Sequence, residues 1–167
     1  MMQPYTEIPN FLDQESYSIL KNFLNHKDTP WFYLPQMIEG TTSGSFFNHC
    51  FFNKGMPKSP QYPLLFPILK KLKATALIQA RANLTLQRSS KFECTWHTDY
   101  KIKNSKTAIL YFTTCDGCTL LDQEKQYKIE AEENKIVSFP SYTEHKQVSH
   151  FNTDKRIVLN LNYYDAG

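Results

Sequence analysis

The 167-residue chain contains only five glycines, and none of them belongs to a phosphate-binding loop. Neither a GxGxxG nor a GxxxxGK spacing occurs, which argues against the common nucleotide-dependent chemistries. No stretch approaches the ~18 continuous apolar residues of a membrane-spanning helix, and the N-terminus lacks the basic-then-apolar layout of a secretion signal. These absences predict a cytoplasmic protein that does not associate with membranes.

Cysteines are few as well, and without a secretion signal the four that are present are expected to be reduced thiols. Cys115 and Cys118 form a CxxC spacing, but no second CxxC occurs to complete a structural zinc site. We therefore predict that Asp116 and Gly117 form a turn between two strands. The formal charge of +3 is spread along the chain, so it neither indicates nor excludes a nucleic-acid partner.

The apolar content of 41% and the chain length predict one globular domain over residues 1–167, mainly β with some helix (α+β). A helical front (1–74) is predicted to contain a helix over residues 11–25, N-capped by Asp13, and a second helix around 64–73. Short strands at 31–37 and 46–52 lie between them. From 75 to 165 short strand-like segments alternate with turns, which is typical of a sandwich or barrel.

His97 and Asp99 form a His-x-Asp pair, and residues i and i+2 of an extended chain project to the same face. His145 follows after about forty-five β-rich residues. Two histidines and one carboxylate on one face of a metal leave open coordination positions, as in non-haem Fe(II) oxygenases. His150 is the competing third ligand, but His145 is preferred because His150 leaves little room for a turn before the last strand. His26 and His49 are assigned no role.

The sequence resembles the 2-oxoglutarate- and Fe(II)-dependent oxygenases, specifically their prolyl 4-hydroxylase-like branch. The resemblance rests on WHTDY (96–100), TAILYF (107–112), KIVSFPSYTEH (135–145) and KRIVLNLNYYD (155–165), together with an N-terminal helix. It implies a double-stranded β-helix, or jelly roll, with N-terminal helices packed against it. It also implies Fe(II) as the metal, 2-oxoglutarate as the cosubstrate and ascorbate as a supporting reductant.

Residue by residue, the resemblance assigns His97, Asp99 and His145 to the metal and to catalysis. Arg156 corresponds to the basic residue that receives the far carboxylate of 2-oxoglutarate. A guanidinium suits that role because its planar fork can form two parallel hydrogen bonds with a carboxylate. Alternation on the last strand is predicted to place Arg156 and the side chains of 158, 160 and 162 on one face, with residues 157, 159, 161 and 163 on the other.

Two further cosubstrate contacts are implied, at Tyr111 and Asn83. Tyr111 matches a strand tyrosine that bonds the same carboxylate in relatives, but a core aromatic is an equal reading of it. Asn83 lies where the upstream strand of the family approaches the cosubstrate. This chain has Leu84 where well-known relatives have tyrosine, so the upstream contacts differ from the family pattern.

The implied activity is hydroxylation of a substrate C–H bond, with 2-oxoglutarate and O₂ consumed and succinate and CO₂ released. A prolyl or other residue of a polypeptide is the implied substrate, favoured over nucleic acid. The aromatic, loop-rich segment 34–60 fits either a lid over a bound peptide or padding on the barrel. The alternatives are a nucleobase demethylase or hydroxylase on the same barrel, and a catalytically silent binding module.

Overall fold

The structure, a computed structural model, describes residues 4–36 and 44–166, and these residues are mainly strand. Two α-helices, α1 (Gln14–Asn25) and α2 (Phe66–Lys71), occur in the first half, with a 3₁₀ helix at Tyr62–Leu65 directly before α2. The strands, in chain order, are β1 (Thr6–Ile8), β2 (Phe32–Leu34), β3 (Phe46–Asn53), β4 (Met56–Pro57), β5 (Ala74–Leu86), β6 (Ser105–Tyr111), β7 (Cys115–Leu121), β8 (Tyr127–Ala131), β9 (Ile136–Pro140), β10 (His145–Val148) and β11 (Lys155–Asp165).

The strands form two antiparallel sheets. The larger sheet has the order β1-β9-β6-β11-β5-β3-β2, with β4 paired to β3, and the smaller has the order β10-β7-β8. β11 lies near the centre of the larger sheet, between β5 and β6. Strands far apart in sequence are therefore neighbours, which brings the last strand of the chain into contact with the two that flank the His-x-Asp pair.

The larger sheet is buried on both faces, because a separate apolar cluster covers each one. Val158 of β11 belongs to the cluster between the two sheets, with Ile109 and Val137 of the larger sheet and Leu121 and Ile129 of the smaller. The cluster on the opposite face contains the alternate residues of β11, namely Ile157, Leu159, Leu161 and Tyr163. It also contains side chains of α1 and α2. The predicted alternation along β11 is confirmed.

The predicted first helix is present, and Asp13 caps it by accepting a hydrogen bond from the Ser16 backbone N–H at 2.9 Å. Tyr17 of α1 stacks on Phe112 with ring centroids 5.4 Å apart. A turn follows β8, with Asn134 at a positive φ of 58°. The side chain of Asn134 bonds both backbone groups of Leu12, at 2.8 and 2.9 Å, and so ties the segment before α1 to the second half of the chain.

The prediction of a turn at Asp116 and Gly117 is wrong: both residues lie within β7, at a bulge opposite β8. The bulge leaves no room for a side chain at Gly117. A Cβ atom there would lie 3.0 Å from the Cβ of His150 and 3.1 Å from the carbonyl oxygen of Val148. Packing against the neighbouring segment, and not turn geometry, is therefore what requires glycine at this position.

Three further differences concern local structure. The segment up to residue 74 contains the two predicted strands, as β2 and β3, and also β1 and β4, which were not predicted. The residues before Asp99 form no strand but only isolated bridges, and β10 was not predicted. Part of the segment 34–60, considered as a lid, is instead β3 in the larger sheet, while residues 37–43 lie outside the described residues. Among the residues described, no helix is both long and apolar enough to cross a membrane.

Candidate metal centre

The structure brings His97, Asp99 and His145 together, with one ligand atom from each within 4.8 Å of the others. Asp99 Oδ1 lies 3.7 Å from His97 Nε2 and 3.5 Å from His145 Nε2. Two ligands about 2.1 Å from one metal and at right angles lie about 3.0 Å apart, so small movements would complete the coordination. Over the described ranges this is the single cluster of three histidine, cysteine or acidic side chains with that geometry.

A backbone pairing positions the two histidines side by side. His97 forms an antiparallel bridge with His145, with N–H to O distances of 3.1 Å in one direction and 2.9 Å in the other. In each histidine, Nδ1 is 3.1 Å from the carbonyl oxygen two residues earlier in the chain, that of Thr95 or Thr143. A carbonyl only accepts, so each Nδ1 carries a proton, and Nε2, which faces Asp99, is the nitrogen left for a metal.

The two oxygens of Asp99 have different surroundings. Oδ2 accepts hydrogen bonds from Asn162 Nδ2 at 2.9 Å, from Asn160 Nδ2 at 3.1 Å and from the Thr107 hydroxyl at 3.3 Å. Oδ1 faces the two imidazoles. The amides thus fix the carboxylate through one oxygen and leave the other directed at the position where a metal would bind.

Burial and charge act in opposite directions on the pKa values of the three ligands. Burial would raise the pKa of Asp99, but the hydrogen bond and charge of His145, followed by Asn162, lower it strongly. Burial, and next the neighbouring His145, lower the pKa of His97. For His145 burial acts to lower the pKa, but the hydrogen bond and charge of Asp99 outweigh it and the pKa is raised. The carboxylate is therefore ionised, which is the form that binds a metal.

A cavity extends from the two histidines into the space between the sheets. Its empty volume is about 590 Å³, including the part open to solvent. Apolar side chains from three strands form part of the wall, namely Phe46, Ile109 and Val158. The polar and thiol part of the wall consists of Arg81, Asn83, Cys94, Thr119, Lys146, Gln147, Arg156 and Asn160.

Arg156 is a buried cation in the wall of this cavity, with only 2% of its surface exposed. Its Nη2 donates to the Thr119 hydroxyl at 3.3 Å, its guanidinium carbon is 5.6 Å from the centre of the Tyr111 ring, and its Nε has no hydrogen-bond partner. No carboxylate of the described residues forms an ion pair with it. An uncompensated buried charge is unfavourable, so a bound anion would stabilise this arginine.

Tyr111 and Asn83, the two other predicted cosubstrate residues, differ in position. Tyr111 is fully buried and does not line the cavity; its hydroxyl donates to Thr119 at 2.8 Å. Burial raises the pKa of Tyr111 to about 12, which keeps the phenol protonated. Asn83 lines the cavity, and its side-chain oxygen is buried without a partner.

Sequence reasoning missed four residues of the site. Asn160 and Asn162 were expected to face the cosubstrate, but both hold Asp99, and Asn160 also lines the cavity. Thr119 joins Tyr111 to Arg156, and Arg81 lines the metal end of the cavity; neither carries a signal in the sequence. Polar residues on the same face as Arg156 were the signal for the two asparagines, but their partner could not be found from spacing.

The remaining histidines lie outside the cluster. His150 is fully buried and both of its ring nitrogens lack a partner, so the preference for His145 as third ligand agrees with the cluster observed. His49 is a satisfied structural residue, with its nitrogens 2.9 Å from the Pro30 carbonyl oxygen and 2.9 Å from the Ser59 hydroxyl. His26 is exposed in the segment after α1.

Comparison with known proteins gives matches in structure alone. No protein-family model matches the sequence, and no curated protein matches it. An oxidoreductase of the 2OG-Fe(II) oxygenase family from Burkholderia pseudomallei superposes with a TM-score of 0.73 at 10% identity, covering 96% of this chain and 85% of that one. SnoK, a non-haem α-ketoglutarate-dependent carbocyclase from nogalamycin biosynthesis, gives 0.69 at 12% identity, covering 98% and 80%.

A prolyl hydroxylase from Trichoplax adhaerens, solved in complex with a peptide fragment of the hypoxia inducible factor oxygen degradation domain, gives a TM-score of 0.67 at 15% identity, covering 97% of this chain and 84% of that one. All three share the two-sheet architecture with this chain over most of its length. At these identities the likeness establishes architecture, and chemistry must be argued from the residues of the site. The chain has the jelly-roll fold of the 2-oxoglutarate- and Fe(II)-dependent oxygenases, the prolyl hydroxylases among them.

Proposed function

We propose that this protein is an Fe(II)- and 2-oxoglutarate-dependent dioxygenase that hydroxylates a C–H bond of its substrate. The observation that carries the proposal is the unpaired charge of Arg156 in the wall of a cavity that also contains both histidines of the cluster. A metal-binding cluster and a buried cation in one cavity suit a ligand that can bind both. A dicarboxylic 2-oxo acid is such a ligand.

The residues present fit Fe(II). Two neutral imidazoles and one ionised carboxylate, each with its remaining polar atoms already hydrogen-bonded, form the donor set typical of non-haem Fe(II) oxygenases. His97 and His145 would bind through Nε2 and Asp99 through Oδ1. Bound together with 2-oxoglutarate, Fe(II) supplies the activation of O₂, so that one oxygen atom enters the substrate as a hydroxyl and the other enters succinate as CO₂ is lost.

The chain itself supplies binding and orientation. Arg156 would bind the far carboxylate of the cosubstrate through its guanidinium fork. The Thr119 hydroxyl accepts hydrogen bonds from both Tyr111 and Arg156, so its own proton remains available to donate to the same carboxylate. Tyr111 acts through Thr119 and is a positioning residue. The apolar side chains of Phe46, Ile109 and Val158 would exclude water from the cosubstrate.

A polypeptide residue, such as a prolyl residue, is the substrate that we favour. Support comes from the Trichoplax hydroxylase of the same fold, which was solved with a peptide. A nucleobase substrate would call for a basic groove outside the cavity, and Lys146, the lysine in the cavity wall, pairs with Glu93 at 2.5 Å. Comparing succinate release with proline-rich peptides and with methylated oligonucleotides tests this preference.

Succinate formation by the purified chain with Fe(II), 2-oxoglutarate and ascorbate tests the activity. We expect turnover in the wild type and its loss in His97→Ala, while His26→Ala, which changes an exposed histidine outside the cluster, retains it. Calorimetry should show that Arg156→Met weakens 2-oxoglutarate binding about tenfold or more, because a charge-assisted pair is lost, whereas the neighbouring Lys155→Met does not. A wild-type chain that binds neither Fe(II) nor 2-oxoglutarate would instead be the silent binding module.

A further inference from the structure

A second arginine, Arg81, lines the same cavity and is also without a partner. It lies on β5, between Cys50 of β3 and Asn160 of β11. Its Nε is buried without a hydrogen-bond partner, and in the described part of the chain its side chain forms no hydrogen bond and no ion pair. Arg81 is therefore a part-buried positive charge that faces the cavity with nothing to neutralise it.

The strand register places Arg81 at the metal end of the cavity, away from Arg156. Arg156 is paired with Thr85 across β11 and β5, while Arg81 is paired with Asn160, whose amide holds Asp99. Four residues of strand separate the two positions, or about 13 Å. In agreement with this location, the charge of Arg81 acts to lower the pKa of His97, of His145 and of Tyr100, although burial is the larger influence on each.

Polar atoms without partners surround Arg81. The side-chain oxygens of Asn160 and Asn83 are buried and accept no hydrogen bond. The orientation of Asn160 is fixed, because its Nδ2 must donate to the carboxylate of Asp99. Its oxygen is thus a true acceptor in the cavity wall. This end of the cavity offers one cation and a neighbouring acceptor to a ligand.

A count of the charges in the site indicates the chemistry of the substrate. This step rests on the proposed function. The two charges of Fe(II) are matched by Asp99 and by one carboxylate of 2-oxoglutarate, and Arg156 is matched by the other carboxylate. Lys146 pairs with Glu93, and Lys91, which shares that carboxylate, is exposed to solvent. Arg81 remains as one positive charge for which the described residues offer no counterpart, which is unfavourable where the guanidinium is buried.

We propose that Arg81 binds a carboxylate of the molecule that is oxidised, so that the substrate is a carboxylate-bearing compound or an acidic segment of a polypeptide. The planar guanidinium suits a carboxylate, and an N–H or O–H group of the same ligand can donate to Asn160. Arg81 is therefore a specificity-determining residue, separate from the arginine that serves the cosubstrate.

The test uses the full chain loaded with Mn(II) and 2-oxoglutarate, which prevents turnover, and measures thermal midpoints with matched probes. One arm compares acetate and glycine with acetamide and glycinamide. The other compares the blocked dipeptide N-acetyl-glutamyl-proline amide with its glutaminyl counterpart. We expect a carboxylate in at least one arm to raise the midpoint and its amide partner not to do so. The arm that responds identifies the source of the carboxylate.

Variants separate the roles of the two arginines. Arg81→Met should abolish the carboxylate response, Arg81→Lys should retain part of it, and Lys103→Met, which removes an exposed charge, should behave as the wild type. Calorimetry should show the dissociation constant of 2-oxoglutarate changed by less than about twofold in Arg81→Met but raised about tenfold or more in Arg156→Met.

Two outcomes overturn the inference. One is an equal response to carboxylates and to their amides in the wild type, or no response in either arm. The other is a loss of 2-oxoglutarate affinity in Arg81→Met as large as that in Arg156→Met, which would assign Arg81 to the cosubstrate. Failure of the wild type to bind 2-oxoglutarate is a failure of the proposed function, and the probe arms repeated with Mn(II) alone then decide the role of Arg81.

Discussion

Removal of the Asn162 amide should weaken metal binding, although Asn162 is not a metal ligand. Its Nδ2 makes the shortest of the three hydrogen bonds to Asp99 Oδ2, at 2.9 Å, and also donates to the Thr107 hydroxyl at 2.9 Å. In Asn162→Ala the carboxylate keeps its bonds from Asn160 and Thr107 but loses its firmest anchor. Partners of this kind contribute about 10–100-fold to metal affinity, so the Mn(II) dissociation constant should rise by about that factor.

The same substitution should also lower the free energy of unfolding of the metal-free protein. Asn162 is 1% exposed, and a hydrogen bond to a buried charged group is worth about 1.5–3 kcal/mol, so the free energy of unfolding in EDTA should fall by about 2 kcal/mol. Calorimetry with Mn(II) and urea titrations measure the two effects. Asn25→Ala, which removes an exposed amide on α1, should change each by little. An Asn162→Ala protein that loses stability but binds Mn(II) within about twofold of the wild type would refute the reasoning.

Three further predictions follow from other contacts. Tyr111→Phe removes a buried hydroxyl that acts through its neighbour, so the 2-oxoglutarate dissociation constant should rise severalfold and less than in an arginine variant; an unchanged value would contradict this. Gly117→Ala should lower the free energy of unfolding by about 1–3 kcal/mol, because the new Cβ meets His150 at 3.0 Å; a wild-type urea midpoint would show that the bulge can adjust. Glu93 has its pKa lowered to about 2 by Lys146 and then Lys91, so its contribution to stability is present above its ordinary pKa of 4.5 and is lost as the pH falls towards 2. The stability difference between the wild type and Glu93→Gln should therefore shrink over that range, and a difference that is constant with pH would count against the ion pairs.

Local sequence patterns correctly predicted features that depend on one segment of the chain, such as strand alternation and helix capping. Alternation along β11 correctly assigned Arg156 to the cavity face and Leu159 to the opposite core, because successive side chains of a strand point to opposite sides whatever the strand pairs with. His97 and Asp99 lie together although no strand runs through them. Asp13 was recognised as a helix cap because a cap and the N–H group it bonds are only three residues apart.

The tertiary structure decided what depends on pairing between distant segments. The neighbours of Asp99 are Asn160 and Asn162, some sixty residues later, and only the register of β11 beside β5 and β6 brings them within reach. The crowding at Gly117 likewise comes from the approach of His150, thirty-three residues later. Spacing along a chain fixes the side to which a residue points, but the residue it meets depends on the alignment of strands, and a shift of one position would reverse every contact.

The sequence by itself therefore determined the residue types of the cluster, their order and the face of β11 that carries the arginine. Only the tertiary structure decided that Asp99 is fixed through one oxygen and that two arginines, not one, face the cavity without a counter-charge. The physical reason is that charge compensation is a property of three-dimensional surroundings. Whether an arginine is paired depends on every segment packed around it, and no single segment contains that information.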